Sequence, residues 1–301
     1  MRILFLGTSD FAAELLRRLA GSPHRPALVL APPDRPRGRG RQLQPPPVAE
    51  VARQLQIELL QVADVNAPEA ALAIRAARPQ VGVLCAFGQL IREPLLSELA
   101  LLNVHPSLLP RWRGAAPIER AIMAGDRRSG VSIMRVVAGL DSGPVALAEE
   151  VPIGPDEDFA AISARLAALG GELLLRALDL QEQGSLAFKE QDEEAASYAE
   201  KIDPAERRLD PARPAKELAR KVRALTPHIG TYLELADGKR LGVHRARAVD
   251  VGVRAGEVKA EWGVLLLGCA QGTLRLEVLQ PEGGKPMGVD AYLRGHQLPR
   301  L

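Results

Sequence analysis

A chain of 301 residues, 47% of them hydrophobic, is long enough for two domains and rich enough in apolar side chains to give each a core. A net charge of only +2 and a mean hydropathy of −0.04 exclude a highly charged disordered protein, and no apolar run is long enough to span a bilayer. The N-terminus lacks the pattern of a signal peptide, so we expect a cytoplasmic protein with no membrane partner. Cys85 and Cys269 lie far apart in apolar surroundings, which excludes a disulfide framework and predicts two buried thiols.

Charge is distributed unevenly along the chain. Residues 1–204 carry a net charge of −4, whereas residues 205–301 carry +6. A basic C-terminal part joined to an acidic N-terminal part indicates a polyanionic partner for the former. A basic face that is simply solvated is the alternative.

The first 90 residues alternate between apolar runs and amphipathic segments. Residues 2–6 predict a strand, and a tight turn at 7–10 leads into a helix predicted over 11–19. Further strands are predicted at 27–30, 58–60 and 81–86, and further helices at 48–54 and 68–77. This alternation predicts an α/β domain with a Rossmann-like doubly wound sheet that is mostly parallel. The first turn lacks the further glycines of a dinucleotide fingerprint, which argues against a nicotinamide cofactor.

Arginine, proline and glycine dominate the segment at residues 31–47. This composition is unfavourable for a regular element, so we expect an irregular loop. Arginines alternate with other residues along it, so several guanidinium groups can face phosphates on one side. A charged loop that is only solvated is the alternative. The arginines are Arg35, Arg37, Arg39 and Arg41.

An amide, an imidazole and a carboxylate lie at the predicted ends of two strands within residues 101–141. Asn103 and His105 are separated by one residue at the end of an apolar run, so an extended chain projects both side chains to one face. A second strand, predicted over 130–137, delivers Asp141. This is a plausible polar catalytic set, although a histidine beside an asparagine is more often a structural hydrogen-bonding group. One histidine without nearby cysteines argues against a metal site.

Prolines shape the chain that follows His105. Pro106 and Pro110 prevent a helix and remove backbone donors, so residues 107–110 are predicted to form an exposed loop. A helix is predicted to begin near Pro117, where proline suits the first turn.

The second half of the chain predicts a long helix, a connector and a small β domain. A strand at 145–151 and an amphipathic helix at 159–180 precede a polar stretch at 181–202, which we interpret as the connector. An Asp-Gly pair at 237–238 predicts a hairpin, and the short apolar runs around it favour a small antiparallel barrel. The strands of this barrel are predicted at 231–235, 240–249, 264–267 and 273–279. A helix predicted at 214–224 has a basic face formed by Lys216, Arg220, Lys221 and Arg223.

Four stretches of the sequence resemble one enzyme family. NVHPSLLPRWRGAAPI at residues 103–118 is similar to the signature of the folate-dependent formyltransferases, and its second part looks specifically like the methionyl-tRNA formyltransferases. PDRPRGRGRQL at 33–43, YAEKI at 198–202 and LQPEGGKPM at 279–287 resemble further segments of that family. The resemblance therefore covers essentially the whole chain. It implies a formyltransferase fold followed by a small OB-like β-barrel domain. The expected parts are a catalytic domain at 1–188, a linker at 189–206 and a tRNA-binding domain at 207–301.

The resemblance also implies roles for individual residues. Asn103, His105 and Asp141 match the family's catalytic residues. The arginine-rich segment and the basic helix face are implied to bind tRNA, and Arg39 matches an arginine that discriminates the initiator acceptor end. A pocket for 10-formyltetrahydrofolate is implied at Phe87, Gly88, Leu90, Ser107, Leu108, Leu109 and Pro110. Phe87 and Leu90 fit ordinary core positions equally well.

The activity implied by the resemblance is transfer of a formyl group from 10-formyltetrahydrofolate to the α-amino group of initiator methionyl-tRNA. The enzyme is expected to be a monomer and to need no metal ion. Glycinamide ribonucleotide and sugar N-formyltransferases would share the three catalytic residues. They are not expected to combine the arginine-rich segment with a basic C-terminal domain. Formyltetrahydrofolate hydrolase and a noncatalytic RNA-binding protein are the further alternatives.

Overall fold

Apolar side chains enclosed on both faces build the strands of the N-terminal part of the chain. In the computed structural model, Ile3–Gly7 and Val81–Cys85 are buried along their whole length, which is typical of strands in a parallel sheet covered by helices. In chain order the strands are β1 (Ile3–Gly7), β2 (Pro26–Ala31), β3 (Arg35–Arg37), β4 (Gln42–Gln44), β5 (Leu59–Gln61), β6 (Val81–Cys85), β7 (Leu101–His105), β8 (Arg113–Gly114), β9 (Arg128–Arg135), β10 (Val145–Pro152) and β11 (Tyr198–Ala199).

Helices connect these strands and begin where the sequence supplies a cap or a proline. They are α1 (Asp10–Ala20), α2 (Pro47–Gln54), α3 (Pro68–Ala77), α4 (Leu95–Glu98), α5 (Pro117–Ala124) and α6 (Phe159–Glu182). The Ser9 side chain accepts a hydrogen bond from the Ala12 amide at the start of α1, and prolines occupy the first turns of α2 and α3. The helices predicted from periodicity are confirmed. No helix in the described part of the chain has both the length and the apolar character needed to cross a membrane.

Seven of the strands form one sheet in the order β10-β9-β7-β6-β1-β2-β5. The pairs β1–β2, β1–β6, β2–β5 and β6–β7 are parallel, whereas β7 and β9 are antiparallel. The predicted Rossmann-like, mostly parallel sheet is therefore confirmed. Because parallel neighbours end at the same edge, the carboxyl ends of β1, β6 and β7 lie side by side. His105 is the last residue of β7, so the predicted polar residues lie at this edge.

The arginine-rich segment contains a regular element, so the prediction of an irregular loop at 31–47 is wrong. β3 and β4 form an antiparallel ribbon in which Arg35 is paired with Gln44 and Pro36 with Leu43. Pro36 is tolerated because a two-stranded ribbon leaves each strand one edge that needs no backbone donor.

The structure describes residues 1–37, 40, 42–261 and 263–301, and of Arg37 only the backbone. These residues form two compact units. The first unit contains residues 1–117, 128–151 and 163–200, and the second contains residues 118–127, 152–162 and 201–301. Two short segments that precede residue 163 thus belong to the second unit. The domain boundaries expected from the sequence stay predictions.

The second unit is built on antiparallel strands around an apolar core. Its strands are β12 (Thr231–Glu234), β13 (Arg240–Val249), β14 (Val258–Glu261), β15 (Val264–Gly268), β16 (Thr273–Gln280) and β17 (Met287–Gly288), and its later helices are α7 (Ala215–Leu225) and α8 (Val289–Gly295). The strand order is β12-β13-β16-β15-β14, with β17 paired to β16. Leu218 and Val222 of α7 share a core with Val243 and Leu274 of the sheet. The predicted antiparallel C-terminal fold is confirmed, and Gly238, with φ +78°, forms the predicted hairpin.

Both cysteines are free and buried, as predicted. Cys85 ends β6 and Cys269 follows β15. Burial raises the pKa of both thiols, so neither is ionised near neutral pH. Neutral, enclosed thiols are poor nucleophiles, and neither residue is a candidate catalytic group.

An ion pair within the second unit predicts a pH-dependent contribution to stability. Arg120 donates two hydrogen bonds to the Glu206 carboxylate, at 2.6 and 2.9 Å, and the Asp203 amide donates a third at 2.9 Å. The guanidinium of Arg120 lowers the pKa of Glu206. A carboxyl group with a lowered folded-state pKa stabilises the fold above its ordinary pKa of about 4.3, and this contribution is lost as the pH falls through the folded-state pKa.

Glu206→Gln is therefore expected to reduce the free energy of unfolding at pH 7 by about 1 kcal/mol. At pH 3, below the ordinary pKa of about 4.3, the difference between variant and parent should be smaller, because the stabilisation by the ionised carboxylate is progressively lost as the pH falls towards the folded-state pKa. Urea denaturation at the two pH values measures this, with exposed Glu261→Gln in the same unit as control. A difference that is the same at both pH values would contradict the prediction.

Candidate active site

Asn103 and His105 lie at the carboxyl end of β7 and project to the same face of the sheet, as their spacing predicts. Asn103 is paired with Leu84 of β6 on one side and with Met134 of β9 on the other. His105 lies opposite Ser132 of β9. The two residues are thus fixed between a parallel and an antiparallel neighbour, and the chain that leaves β9 carries Asp141 back to them.

The carboxylate of Asp141 meets both β7 side chains. Its Oδ1 accepts a hydrogen bond from Asn103 Nδ2 at 3.2 Å, and its Oδ2 lies 3.6 Å from His105 Nδ1. The backbone N–H of Gly114 donates to Oδ2 at 2.9 Å. The Asp141 side chain is 16% exposed, so the carboxylate is not sealed from a substrate. The three polar groups predicted from the sequence are therefore adjacent in space.

The imidazole of His105 has a defined orientation. Its Nε2 lies 2.9 Å from the carbonyl oxygen of Trp112, and because a carbonyl oxygen can only accept, Nε2 carries a hydrogen. The ring is buried, and its Nδ1 faces Asp141. Nδ1 is consequently the nitrogen that can take part in a reaction beside the carboxylate.

The side-chain amide of Asn103 has a second N–H that can bind a substrate. A carboxylate only accepts hydrogen bonds, so the atom of Asn103 that faces Asp141 is the amide nitrogen. An amide nitrogen carries two hydrogens, and within the part of the chain that the structure describes only one of them is used. The other can be donated to a substrate oxygen. The described residues hold no group of three or more His, Cys, Asp and Glu side chains placed to bind a metal ion.

The loop after β7 is buried and hydrogen-bonded at its start, so the prediction of an exposed loop is wrong for Ser107. This residue is buried, and its hydroxyl donates to the Arg111 carbonyl oxygen at 2.7 Å. The Ser132 hydroxyl donates to the Ser107 carbonyl oxygen at 2.8 Å and accepts from the Leu109 amide at 3.1 Å. Backbone groups that the prolines leave without ladder partners are satisfied in this way. The partly exposed residues of the loop are Leu108, Leu109 and Pro110.

The predicted folate residues after β6 divide into a buried and an exposed group. Phe87 is buried in the core of the first unit, and its carbonyl oxygen accepts from the Thr8 hydroxyl at 3.0 Å. Gly88 has φ +76° and open space where a side chain would stand, and the Leu90 side chain is 62% exposed. Gly88 and Leu90 are accessible at the sheet edge, whereas Phe87 supports them from the core.

Three groups around Asp141 and His105 were not predicted from the sequence. The Gly114 amide and the Trp112 carbonyl lie within the stretch at 103–118. The similarity of this stretch to a known signature was the only sequence signal that could have indicated them. Gln191 lies in the segment interpreted as a connector, where no pattern marked it. Its Nε2 donates to the carbonyl oxygens of Asp141, at 2.8 Å, and Gly143, at 2.7 Å.

A buried arginine joins the same segment to the loop after β7. Arg113 is 1% exposed and donates to both carboxylate oxygens of Glu193, at 2.9 and 2.7 Å. Hydrogen bonding with Glu193 raises the pKa of Arg113, and the guanidinium lowers the pKa of the Glu193 carboxyl. β11 pairs with β8 here, which places Ala199 beside Gly114. The segment around β11 is therefore packed against the site.

The predicted tRNA-binding residues have different surroundings. Arg35 on β3 and Lys216 on α7 are exposed. Arg39, Arg41 and the side chain of Arg37 lie outside the described residues.

The other three basic residues of α7 contact backbone carbonyls of the second unit rather than forming one solvated face. Arg220 donates to Ala124 at 3.3 Å, Lys221 donates to Arg208 at 3.4 Å, and Arg223 donates to Glu157 at 2.6 Å. Burial lowers the pKa of Lys221 and of Arg223. Lys216 is the most accessible of the four basic residues of α7.

Two known protein families match the two parts of the chain. The family Formyl transferase matches residues 1–178, and the family Formyl transferase, C-terminal domain, matches residues 201–297. A methionyl-tRNA formyltransferase of Xanthomonas campestris pv. campestris is 43% identical, with 100% of each chain covered. The chain belongs to the methionyl-tRNA formyltransferase family. A second member, from Pseudomonas syringae pv. tomato, is 41% identical over 95% of this chain and 92% of its own length.

The fold of this methionyl-tRNA formyltransferase family member also recurs among solved structures. HypX from Aquifex aeolicus, in complex with tetrahydrofolic acid, superposes with a TM-score of 0.67 at 19% identity. The match covers 100% of this chain and 51% of HypX, and it shows the shared fold. The predicted family, fold and enzyme class are thereby confirmed, with formyl-tetrahydrofolate as the family's co-substrate. The roles of individual residues stay predictions.

Proposed function

We propose that this protein transfers the formyl group of 10-formyltetrahydrofolate to the α-amino group of initiator methionyl-tRNA. One arrangement carries the proposal: the Asp141 carboxylate is held by Asn103 and Gly114 and faces the His105 ring. The chain around it is 41% and 43% identical to two methionyl-tRNA formyltransferases over nearly its whole length. A hydrogen-bond donor for a developing oxyanion thus lies at the carboxyl end of β7. A carboxylate–imidazole pair that can serve in proton movement lies beside it.

The nucleophile needs little activation. An α-amino group has a pKa of about 7.7 to 8.0, so a useful fraction of it is neutral near pH 7. Its lone pair attacks the formyl carbon on N10 of the folate, and the formyl oxygen gains negative charge. The second N–H of Asn103 is suited to that oxygen, and such a donor contributes on the order of 3 kcal/mol to transition-state stabilisation in comparable acyl-transfer sites.

The Asp141 carboxylate, with the His105 ring beside it, is proposed to move the proton. When the tetrahedral intermediate collapses, the bond between the formyl carbon and N10 breaks, N10 takes the electron pair and a proton, and the attacking amine loses a proton. The Asp141 carboxylate accepts that proton, directly or through one water, and passes it towards N10. The Trp112 carbonyl holds the His105 ring so that Nδ1 stays beside Asp141.

The folate is proposed to bind beyond the carboxyl ends of β6 and β7. Gly88 and Leu90 provide exposed surface after β6, and residues 108–110 provide partly exposed surface after β7. Phe87 and Ser107 are buried, so we propose that they shape this surface from beneath. Ligands of open α/β sheets bind at such strand ends.

The tRNA is proposed to contact the arginine-rich segment at 31–47 and the C-terminal part of the chain. Residues 205–301 of that part carry the net charge of +6. The proposed contacts are Arg35, Arg37, Arg39, Arg41, Lys216, Arg220, Lys221 and Arg223. Because Arg220, Lys221 and Arg223 already donate to backbone carbonyls, Arg35 and Lys216 are the more available of the described groups. We further propose a monomer that acts in the cytoplasm, where its tRNA substrate is found, without a membrane partner.

A comparison of acceptors tests the proposed function. Labelled formyl from 10-formyltetrahydrofolate should be transferred to charged initiator tRNA at a kcat/KM at least about tenfold above that for elongator methionyl-tRNA, a difference of about 1.4 kcal/mol. Glycinamide ribonucleotide should accept no label. Transfer to the small amine alone would retain formyl transfer and overturn the tRNA assignment.

A further inference from the structure

We propose that Gln191 is a positioning residue for Asp141, and that the segment between α6 and β11 is consequently part of the active site. The inference rests on the proposed function, because Gln191 is assigned through the role proposed for Asp141. The Gln191 amide contacts the backbone of the turn at Asp141 rather than its carboxylate.

The backbone at Asp141 needs external support. Its φ of +44° lies in the left-handed region, which is sterically costly for a residue with a side chain. Two residues later, a Cβ on Gly143 would clash with the Arg135 carbonyl oxygen, so this turn is pressed against the end of β9. The position of the Asp141 carboxylate therefore depends on how the turn is held.

Gln191 holds the turn with both hydrogens of one amide nitrogen. Nε2 donates to the Asp141 carbonyl oxygen at 2.8 Å and to the Gly143 carbonyl oxygen at 2.7 Å. The other end of the amide, Oε1, accepts from Arg113 Nε at 3.0 Å. Carbonyls only accept and a guanidinium only donates, so the amide has a single possible orientation.

The same amide closes a ring of contacts around the carboxylate. Trp112, Arg113 and Gly114 are consecutive, and each holds a different part of the site. The Trp112 carbonyl binds the His105 ring at 2.9 Å, the Gly114 amide binds Asp141 Oδ2 at 2.9 Å, and the Arg113 side chain binds Gln191. Gln191 thus connects the backbone of Asp141 to the loop that orients both its carboxylate and the imidazole beside it.

Substitution of Gln191 tests the proposal, because a positioning residue should affect kcat and leave KM nearly unchanged. Gln191→Met, which has similar length and no N–H, should lower kcat for formyl transfer by about tenfold or more and leave KM for folate and tRNA within about twofold. Gln191→Glu keeps an acceptor for Arg113 but lacks the two donors, so it should fold and show the same loss. Exposed Gln183→Met is the matched control and should behave as the parent.

A double-mutant cycle separates positioning of Asp141 from a merely structural effect. In an Asp141→Asn background, Gln191→Met should change the residual kcat by less than about twofold, because Gln191 acts through the group already removed. A full additional loss in that background, or an unchanged kcat in the parent background, would overturn the proposal.

Amide hydrogen exchange gives a readout that does not depend on activity. The Gly114 N–H, which is bound to Asp141, should exchange at least about tenfold faster in Gln191→Met, while amides of β1 are unchanged. Unchanged exchange at Gly114 would overturn the positioning role even if formyl transfer is found. Faster exchange in a protein that formylates no methionyl-tRNA would instead retain the contact network and overturn the proposed function.

Discussion

Asp141→Asn is expected to lower kcat for formyl transfer by about 10³-fold with KM for both substrates nearly unchanged. The substitution keeps the size of the side chain and removes the charge that accepts the amine proton. Asparagine also tolerates the left-handed backbone at this position, φ +44°, better than alanine does, so the turn should keep its conformation. The loss can then be assigned to chemistry rather than to folding.

The exposed Asp250→Asn is the matched control for this experiment and should retain the parental kcat. Single-turnover rates at saturating folate and methionyl-tRNA separate chemistry from product release. A rate for Asp141→Asn within about threefold of the parent would contradict a role for this carboxylate in proton movement.

Asn103→Ala is expected to lower kcat by about 10² to 10³-fold, again with little change in KM. The amide is proposed to donate to the formyl oxygen only as that oxygen becomes negatively charged, so its removal destabilises the transition state more than the bound substrate. The variant also removes the donor to Asp141 Oδ1, which is 3.2 Å away. The measurement is a steady-state comparison of kcat and KM, with exposed Gln54→Ala as control. A rise in KM without a fall in kcat would contradict the oxyanion role and indicate ground-state binding.

The arrangement of Asn103, His105 and the sheet edge was predictable because it depends on local geometry. Alternation along a strand places residues 103 and 105 on one face, and alternating strands and helices imply parallel strands that end at one edge. The antiparallel direction of β9 was not predicted, although it determines how the chain returns to His105. Short apolar strands carry no local signal of their direction.

The contacts that orient Asp141 and His105 could not be predicted in the same way. Trp112 and Gly114 act through their backbone groups, whose hydrogen bonds depend on the path of the loop rather than on side-chain type. Gln191 is 50 residues from Asp141 along the chain and lies in a polar, acidic stretch that is typical of a solvated connector. Only the fold brings its amide to the turn.

The basic residues show a further limit of sequence patterns. Helical spacing correctly places Lys216, Arg220 and Arg223 along α7, but periodicity does not reveal that the Arg223 guanidinium donates to the Glu157 carbonyl. The arginine-rich segment was expected to be irregular from its composition, yet β3 and β4 pair across it. In both cases the deciding contacts involve backbone groups, which side-chain patterns do not encode.

The most direct test of the central claim is to locate the formyl label after a single turnover with 10-formyltetrahydrofolate and charged initiator tRNA. The proposed mechanism predicts that alkaline hydrolysis of the tRNA product releases labelled N-formylmethionine in an amount equal to the folate consumed. Label recovered as free formate, with unmodified methionine on the tRNA, would contradict it and indicate hydrolysis of the folate instead.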